Sequence, residues 1–262
     1  MRLDRHGEAG PRVLVLHGGP GAPGSAQGLA RGLAAGFRVL EPWQRGSADG
    51  GLLTVAQLAL DLRALVRAEC PDERPALVGH SWGAMLALAA AAAHPDSFGP
   101  LVLVGCGTFD LAARARFKTT LAERGGETLA QGLAALEGEP DADRRLAAAA
   151  RLLEPIYGVD MLPEAPGPVD ARANAALWAD MLELQAAGVY PAAFAVIRAP
   201  VLMLHGEADP HPGAMIRDSL LPWLPQLEYR ELPRCGHYPW RERGARANFF
   251  GLLRAWLGRQ SN

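Results

Sequence analysis

The sequence predicts an α/β fold, a mostly parallel sheet with helices on both faces. Three observations carry this. Short apolar runs alternate with helical stretches from residue 12 to 104 and again from residue 200, the order that parallel strands require. One apolar run passes straight into a helix at Gly79-His80-Ser81-Trp82-Gly83. And 262 residues, 49% hydrophobic and 21% charged, suffice to bury one large core.

Arg12-Val13-Leu14-Val15-Leu16 reads as a buried strand. It stops at His17-Gly18-Gly19-Pro20-Gly21, a cluster that continues neither regular element. Residues 25–35 read as a helix, and Phe37-Arg38-Val39-Leu40 as a second strand ended near Pro42, before a loop over 43–51. Thr54 is placed as an N-cap, with Val55, Leu58, Leu62, Leu65 and Val66 on one face of the next helix. Pro75 to Val78 is the strand before Ser81. Trp82 to His94, rich in Ala, Leu and Met, is the helix after it, and Pro100 to Val104 the following strand.

From residue 109 to 195 the alternation stops. Helices are expected over 111–124, 128–136, 141–153 and 170–185, parted by Gly, Pro and acidic residues. This stretch reads as a helical lid inserted into a core made of residues 1–108 and 196–262. Trp178, Met181 and Leu182 recur at helical spacing, either along a pocket or packed on the core. The alternation resumes with Pro200–Leu204, ending at His205-Gly206-Glu207-Ala208-Asp209-Pro210. Leu227–Leu232 leads to Cys235-Gly236-His237, and a last helix carries Phe249, Phe250, Leu253, Trp256 and Leu257 on one face.

A net charge of −2 gives no electrostatic footprint for a nucleic acid or a membrane surface. No apolar segment is long enough to span a bilayer. Cys70, Cys106 and Cys235 are scattered and odd in number, which points to a reducing, cytoplasmic compartment. Met1 to His6 lacks the apolar run of a secretory signal.

The chemistry centres on Ser81. A strand that reverses into a helix within one or two residues lifts the turning side chain clear of the sheet, and the helix N-terminus favours developing negative charge there. A serine hydroxyl needs a base, and the base needs an acid to hold its tautomer. Asp209 and His237 both follow strands, at the carboxyl ends where open parallel sheets build their sites. Glu207 and Asp110 compete for the acid role, and His80, His205 and His211 for the base. His80 is expected to point away from Ser81 and His205 to be a packed histidine bonded to backbone, while His211, in a proline-flanked loop, could contact substrate. A metal site of His205, Asp209, His211 and His237 ranks below the triad, since no H-E-x-x-H or paired-cysteine pattern accompanies it. The oxyanion donors are expected at the N–H groups of Trp82 and Gly19, and no cofactor is called for.

Together, His17-Gly18-Gly19-Pro20-Gly21, Gly79-His80-Ser81-Trp82-Gly83, Asp209 and His237 resemble the α/β-hydrolase family. The first two segments and Gln44-Arg45-Gly46-Ser47 are similar to its proline iminopeptidase branch. The resemblance implies a sheet of about eight strands, a lid after the strand near Val104, and hydrolysis of a small-molecule or short peptide substrate through an acyl-enzyme. Trp43 and Ala48 depart from the branch's D-Q-R-G-S-G segment, and the strands that usually precede the first are nearly absent. Peptidases of that branch grip a free amino terminus with lid glutamates. Glu154, Glu164 and Glu183 are the available acids. Two alternatives stay open, an aminopeptidase acting on N-terminal proline and a ligand-binding member that does no chemistry.

Overall fold

The computed structural model describes residues 2–260. Met1, Ser261 and Asn262, at the outer ends of the expected core segments, lie outside the described residues. Seven strands form one sheet in the order β1-β3-β2-β4-β5-β6-β7. They are β1 (Leu3–His6), β2 (Arg12–Leu16), β3 (Arg38–Pro42), β4 (Ala76–His80), β5 (Leu101–Val104), β6 (Val201–Gly206) and β7 (Leu227–Leu232). All pairings are parallel except β1 with β3.

Ahead of Arg12, where the family's usual strands read as nearly absent, the chain holds one short strand, β1. Its four residues carry one aliphatic side chain and sit at the sheet edge, so no apolar run announces them. The strand count is accordingly seven among the described residues rather than about eight.

The central strands are apolar throughout because both faces are covered. Leu14 and Leu16 pack on the side of α2 (Val55–Glu69) and α3 (Trp82–Ala93). Val13 and Val15 face the opposite layer, formed by α1 (Gln27–Leu33) and α8 (Arg246–Gln260). Thr54 caps α2 by accepting the Gln57 N–H at 3.2 Å. α3 is buried over ten of its twelve residues, which explains its uniform Ala–Leu–Met composition.

Between β5 and β6 lie three helices, α4 (Leu111–Ala135), α5 (Ala142–Tyr157) and α6 (Ala171–Ala186). The two helices expected over 111–124 and 128–136 lie on either side of a kink within α4, where Gly126 takes φ 55°, ψ −153°, a conformation glycine accepts readily. Asp141 and Asp170 cap α5 and α6 with their carboxylates. α6 buries Leu177 and Met181 and sets Trp178 edge-on to Trp82 at 5.4 Å, while Leu182 stays exposed. A short helix α7 (Gly213–Leu220), absent from the sequence reading, follows β6. Among the described residues no helix is long and apolar enough to cross a membrane.

Candidate active site

β4 ends at His80 and α3 begins at Trp82, so Ser81 alone makes the reversal. It does so at φ 53°, ψ −115°, a left-handed conformation costly for any residue with a Cβ. The turn holds because its neighbours are glycines. A Cβ on Gly79 would lie 2.2 Å from the Gly83 carbonyl oxygen, and one on Gly83 would lie 2.3 Å from that of Leu16. The Ser81 N–H is tied to the Val104 carbonyl at 2.8 Å, which anchors the turn to β5.

The parallel register brings the other strand ends to the same rim. Asp209 and His237, 28 residues apart in the chain, meet in a hydrogen bond of 2.6 Å from His237 Nδ1 to Asp209 Oδ2. Both are buried. They stand over Gly105, the residue after β5, where a Cβ would come within 2.9 Å of His237 Nδ1 and 3.2 Å of Asp209 Oδ2. On the other side of Ser81, a Cβ on Gly18 would lie 3.4 Å from the Ser81 Cβ, so the His17–Gly21 loop abuts the turn. Among the described residues the Ser81 hydroxyl is not hydrogen-bonded to His237. Contacts of this kind are often long at rest and shorten with substrate bound.

The rival acids and bases have other partners. Asp110 caps α4 through the Ala113 N–H at 2.8 Å, and Glu207 accepts the Arg234 N–H at 3.0 Å. His80 is buried. Its Nε2 donates to the His237 carbonyl at 3.0 Å, and its ring packs 4.6 Å from that of His237. His205 is buried and donates from Nε2 to the His211 carbonyl at 3.0 Å. His211, on its proline-flanked loop, directs its ring at the carboxylate, with Nδ1 2.9 Å from Asp209 Oδ1.

Burial pushes the Asp209 carboxyl up, but His237, His205 and His211 around it outweigh burial and hold it well below the usual carboxylate range. It is therefore anionic wherever a neutral imidazole acts as a base. Burial drives His80 well below the ordinary imidazole value, and the nearby His237 adds to the effect. Asp209, His211 and His237 bring ligand-type atoms within 4.8 Å of one another. Both imidazoles aim Nδ1 at the carboxylate itself, so these nitrogens are already used and do not converge on a centre between them.

The glycine loop after β2 is braced from below. His17 donates from Nδ1 to the Gly18 carbonyl at 2.9 Å and accepts the Gln44 N–H at Nε2 at 3.1 Å. Gln44 returns a bond to the His17 carbonyl and accepts from Trp82 Nε1 at 3.0 Å. Gly19 takes φ 111°. Trp82 is the first residue of α3, so its N–H has no carbonyl one turn earlier to receive it. α6 reaches the same loop, with Asn174 Nδ2 donating to the Pro20 carbonyl at 2.7 Å.

Two of the acids between β5 and β6 meet a residue that the sequence alone does not single out. Arg241, 9% exposed, donates to Glu154 at 2.5 Å and lies 3.6 Å from Glu164. Glu183 is exposed on α6. Nothing in the spacing of Tyr238-Pro239-Trp240-Arg241 signals this arginine, because its partners lie 77 to 87 residues away in the insertion.

Residues 13–248 match the Alpha/beta hydrolase family. The chain belongs to the alpha/beta hydrolase family. Among curated proteins, this alpha/beta hydrolase is 34% identical over 184 residues to a probable proline iminopeptidase of Streptomyces coelicolor, 65% of this chain and 53% of that protein. It is 38% identical over 110 residues to a 2-hydroxy-6-oxononadienedioate/2-hydroxy-6-oxononatrienedioate hydrolase of Pseudomonas putida, 39% of this chain and 38% of that protein. The chain thus spans about half or less of the length of these relatives. Among solved structures, VinJ superposes with a TM-score of 0.70 at 21% identity, covering 98% of this chain and 94% of VinJ. A thermophilic esterase from Thermogutta terrifontis does so with a TM-score of 0.67 at 19% identity, covering 100% and 94%. At these identities the likeness is one of fold.

Proposed function

We propose that this alpha/beta hydrolase cleaves a small ester, amide or related acyl substrate through an acyl-enzyme, with Ser81 as nucleophile, His237 as base and Asp209 as its orienting acid. The observation that carries the reading is the strained turn at Ser81 on the same rim as the 2.6 Å pair of His237 and Asp209. Ser81 Oγ attacks the carbonyl carbon as His237 Nε2 takes its proton. Asp209 holds the Nδ1–H tautomer and stabilises the imidazolium. The N–H groups of Gly19 and Trp82 receive the oxyanion, His237 returns the proton to the leaving group, and water repeats the sequence on the acyl-enzyme. The insertion α4–α6, within residues 109–195, serves as the lid over this rim, and its helices select the acyl group.

Identity to a probable proline iminopeptidase keeps amide cleavage beside an amino terminus in view. Against it, Arg241 occupies Glu154 and sits beside Glu164, and burial raises Glu164 toward its neutral form. These acids are poorly placed to grip an ammonium group. Turnover of aryl esters, amides, lactones and proline arylamides by the wild type and Ser81→Ala tests the reading. Ser81→Ala is expected to lose roughly 10⁴–10⁶ of the rate on the accepted substrate while remaining folded. Near-normal rates in that variant would exclude Ser81 as the nucleophile.

A further inference from the structure

We propose that His211 is a positioning residue of this site, which locks the Asp209 carboxylate through the oxygen that His237 does not use and carries a contact from helix α4 onto the His237 ring. The inference rests on the triad reading above.

The two oxygens of Asp209 serve different imidazoles. Oδ2 accepts from His237 Nδ1 at 2.6 Å. Oδ1 accepts both the backbone N–H and Nδ1 of His211, each at 2.9 Å. A carboxylate only accepts, so His211 carries its proton on Nδ1. With both oxygens engaged by ring nitrogens, the carboxylate cannot rotate without breaking at least one bond. The His211 ring is also held face to face on both sides. It stacks on His237 with centroids 4.7 Å apart and planes 22° apart, and on Phe117 of α4 at 4.1 Å and 15°. Phe117, His211 and His237 therefore form one pile of three rings that runs from the inserted helices to the proposed base. Pro210 and Pro212 restrict the backbone on either side, and the His211 carbonyl accepts from His205 Nε2 at 3.0 Å.

The groups that face His211 are Asp209 and His205 from β6 and its loop, His237 from the loop after β7, and Tyr157 of α5, whose ring centroid is 5.8 Å away. Arg124 of α4 approaches the same loop and donates to the Ala208 carbonyl at 2.5 Å. Burial lowers the His211 imidazole below its ordinary value, and Asp209 only partly offsets that. At neutral pH the ring is an uncharged donor. It draws on the charge of Asp209 without placing a second cation against the ring that must become an imidazolium.

The ring and the donor can be removed separately. His211→Phe keeps a stacking ring and deletes the Nδ1–H. Left with fewer donors, Asp209 stabilises the imidazolium more strongly, so the acid limb of kcat/KM moves to higher pH. kcat falls about tenfold with KM little changed. His211→Asn keeps an N–H donor at the same reach and loses the stack, and its acid limb stays with the wild type. A residue that merely filled space would leave the acid limb unmoved in both variants. Wild-type kcat and a wild-type acid limb in folded His211→Phe would overturn the proposal. Should His211→Phe not fold, Phe117→Ala removes the outer ring without touching Asp209. A severalfold loss of kcat is expected there, and an unchanged kcat would overturn the proposal. Labelling of wild-type Ser81 by a fluorophosphonate, run alongside, separates the two failures. Without labelling the triad reading fails, whereas labelling with unaltered variants sinks the role of His211 alone.

Discussion

Asn174 of α6 donates its side-chain amide to the carbonyl of Pro20, 2.7 Å away in the glycine loop that follows β2. Three neighbouring contacts reinforce this one. The Asp170 N–H donates to the Gly21 carbonyl at 2.8 Å, the Asp170 carboxylate accepts the Ser47 N–H at 2.6 Å, and a Cβ on Gly21 would lie 2.4 Å from the Asp170 carbonyl oxygen. The first turn of α6 is therefore part of the wall that holds Gly19. With Gly19 as the proposed oxyanion donor, Asn174→Ala is expected to lower kcat about tenfold with a smaller change in KM, because such a donor matters in the transition state and not in substrate binding. Steady-state kinetics on an accepted ester decide it. A pure KM effect would detach α6 from the oxyanion loop.

The turn at Ser81 tolerates no added Cβ at Gly79, where the nearest atom is the backbone oxygen of Gly83 at 2.2 Å. Backbone cannot move aside as a flexible side chain can. Gly79→Ala is expected to cost about 1–3 kcal/mol and to abolish turnover by displacing Ser81, the proposed nucleophile. Urea unfolding with an unchanged midpoint would show that the turn has room for the added methyl.

Arg241 pairs with Glu154 and lies beside Glu164. Arg241→Met leaves Glu154 and Glu164 without it. The kcat/KM ratio of an aminoacyl arylamide to a neutral aryl ester is expected to rise roughly tenfold, the effect of about one unit of charge at partly screened range. An unchanged ratio would mean that these acids do not face the substrate.

Acid should weaken the fold before any carboxylate of the site titrates. His17 is buried between Gln44 and the glycine loop, and burial brings its imidazole down to about 4 from the ordinary 6.5. Below pH 6.5 the unfolded chain takes up a proton there that the folded chain refuses until about pH 4. Stability is therefore full above pH 6.5 and declines as pH falls through that window, by up to about 3 kcal/mol from this residue. His80, His205 and His211 are lowered too and act in the same sense. Urea midpoints at pH 7.5, 5.5 and 4.5 test this, and a flat series would contradict it.

Much of the site was legible because it lies at strand ends. Ser81 and Asp209 each follow an apolar run and His237 an alternating one, and the parallel sheet alone brings such positions to one rim. β1 was not legible, since an edge strand with one aliphatic residue has no pattern to detect. The break at Gly125-Gly126 was legible, since two adjacent glycines weaken a helix, and Gly126 takes the positive φ that kinks α4 there. His211 lies in a proline-flanked loop, where its bond to Asp209 was not legible. Its inward turn depends on Phe117, 94 residues earlier, and on both oxygens of Asp209. Arg241 and Asn174 acquire roles only through partners on other elements, which no local spacing encodes.

The central claim concerns the reactivity of one hydroxyl. Intact-mass measurement after exposure to a fluorophosphonate, followed by peptide mapping, reads it directly. The account predicts one adduct per chain, on Ser81, lost in Ser81→Ala and strongly slowed in His237→Ala. A folded wild-type protein that stays unlabelled, or is labelled at another residue, would contradict it.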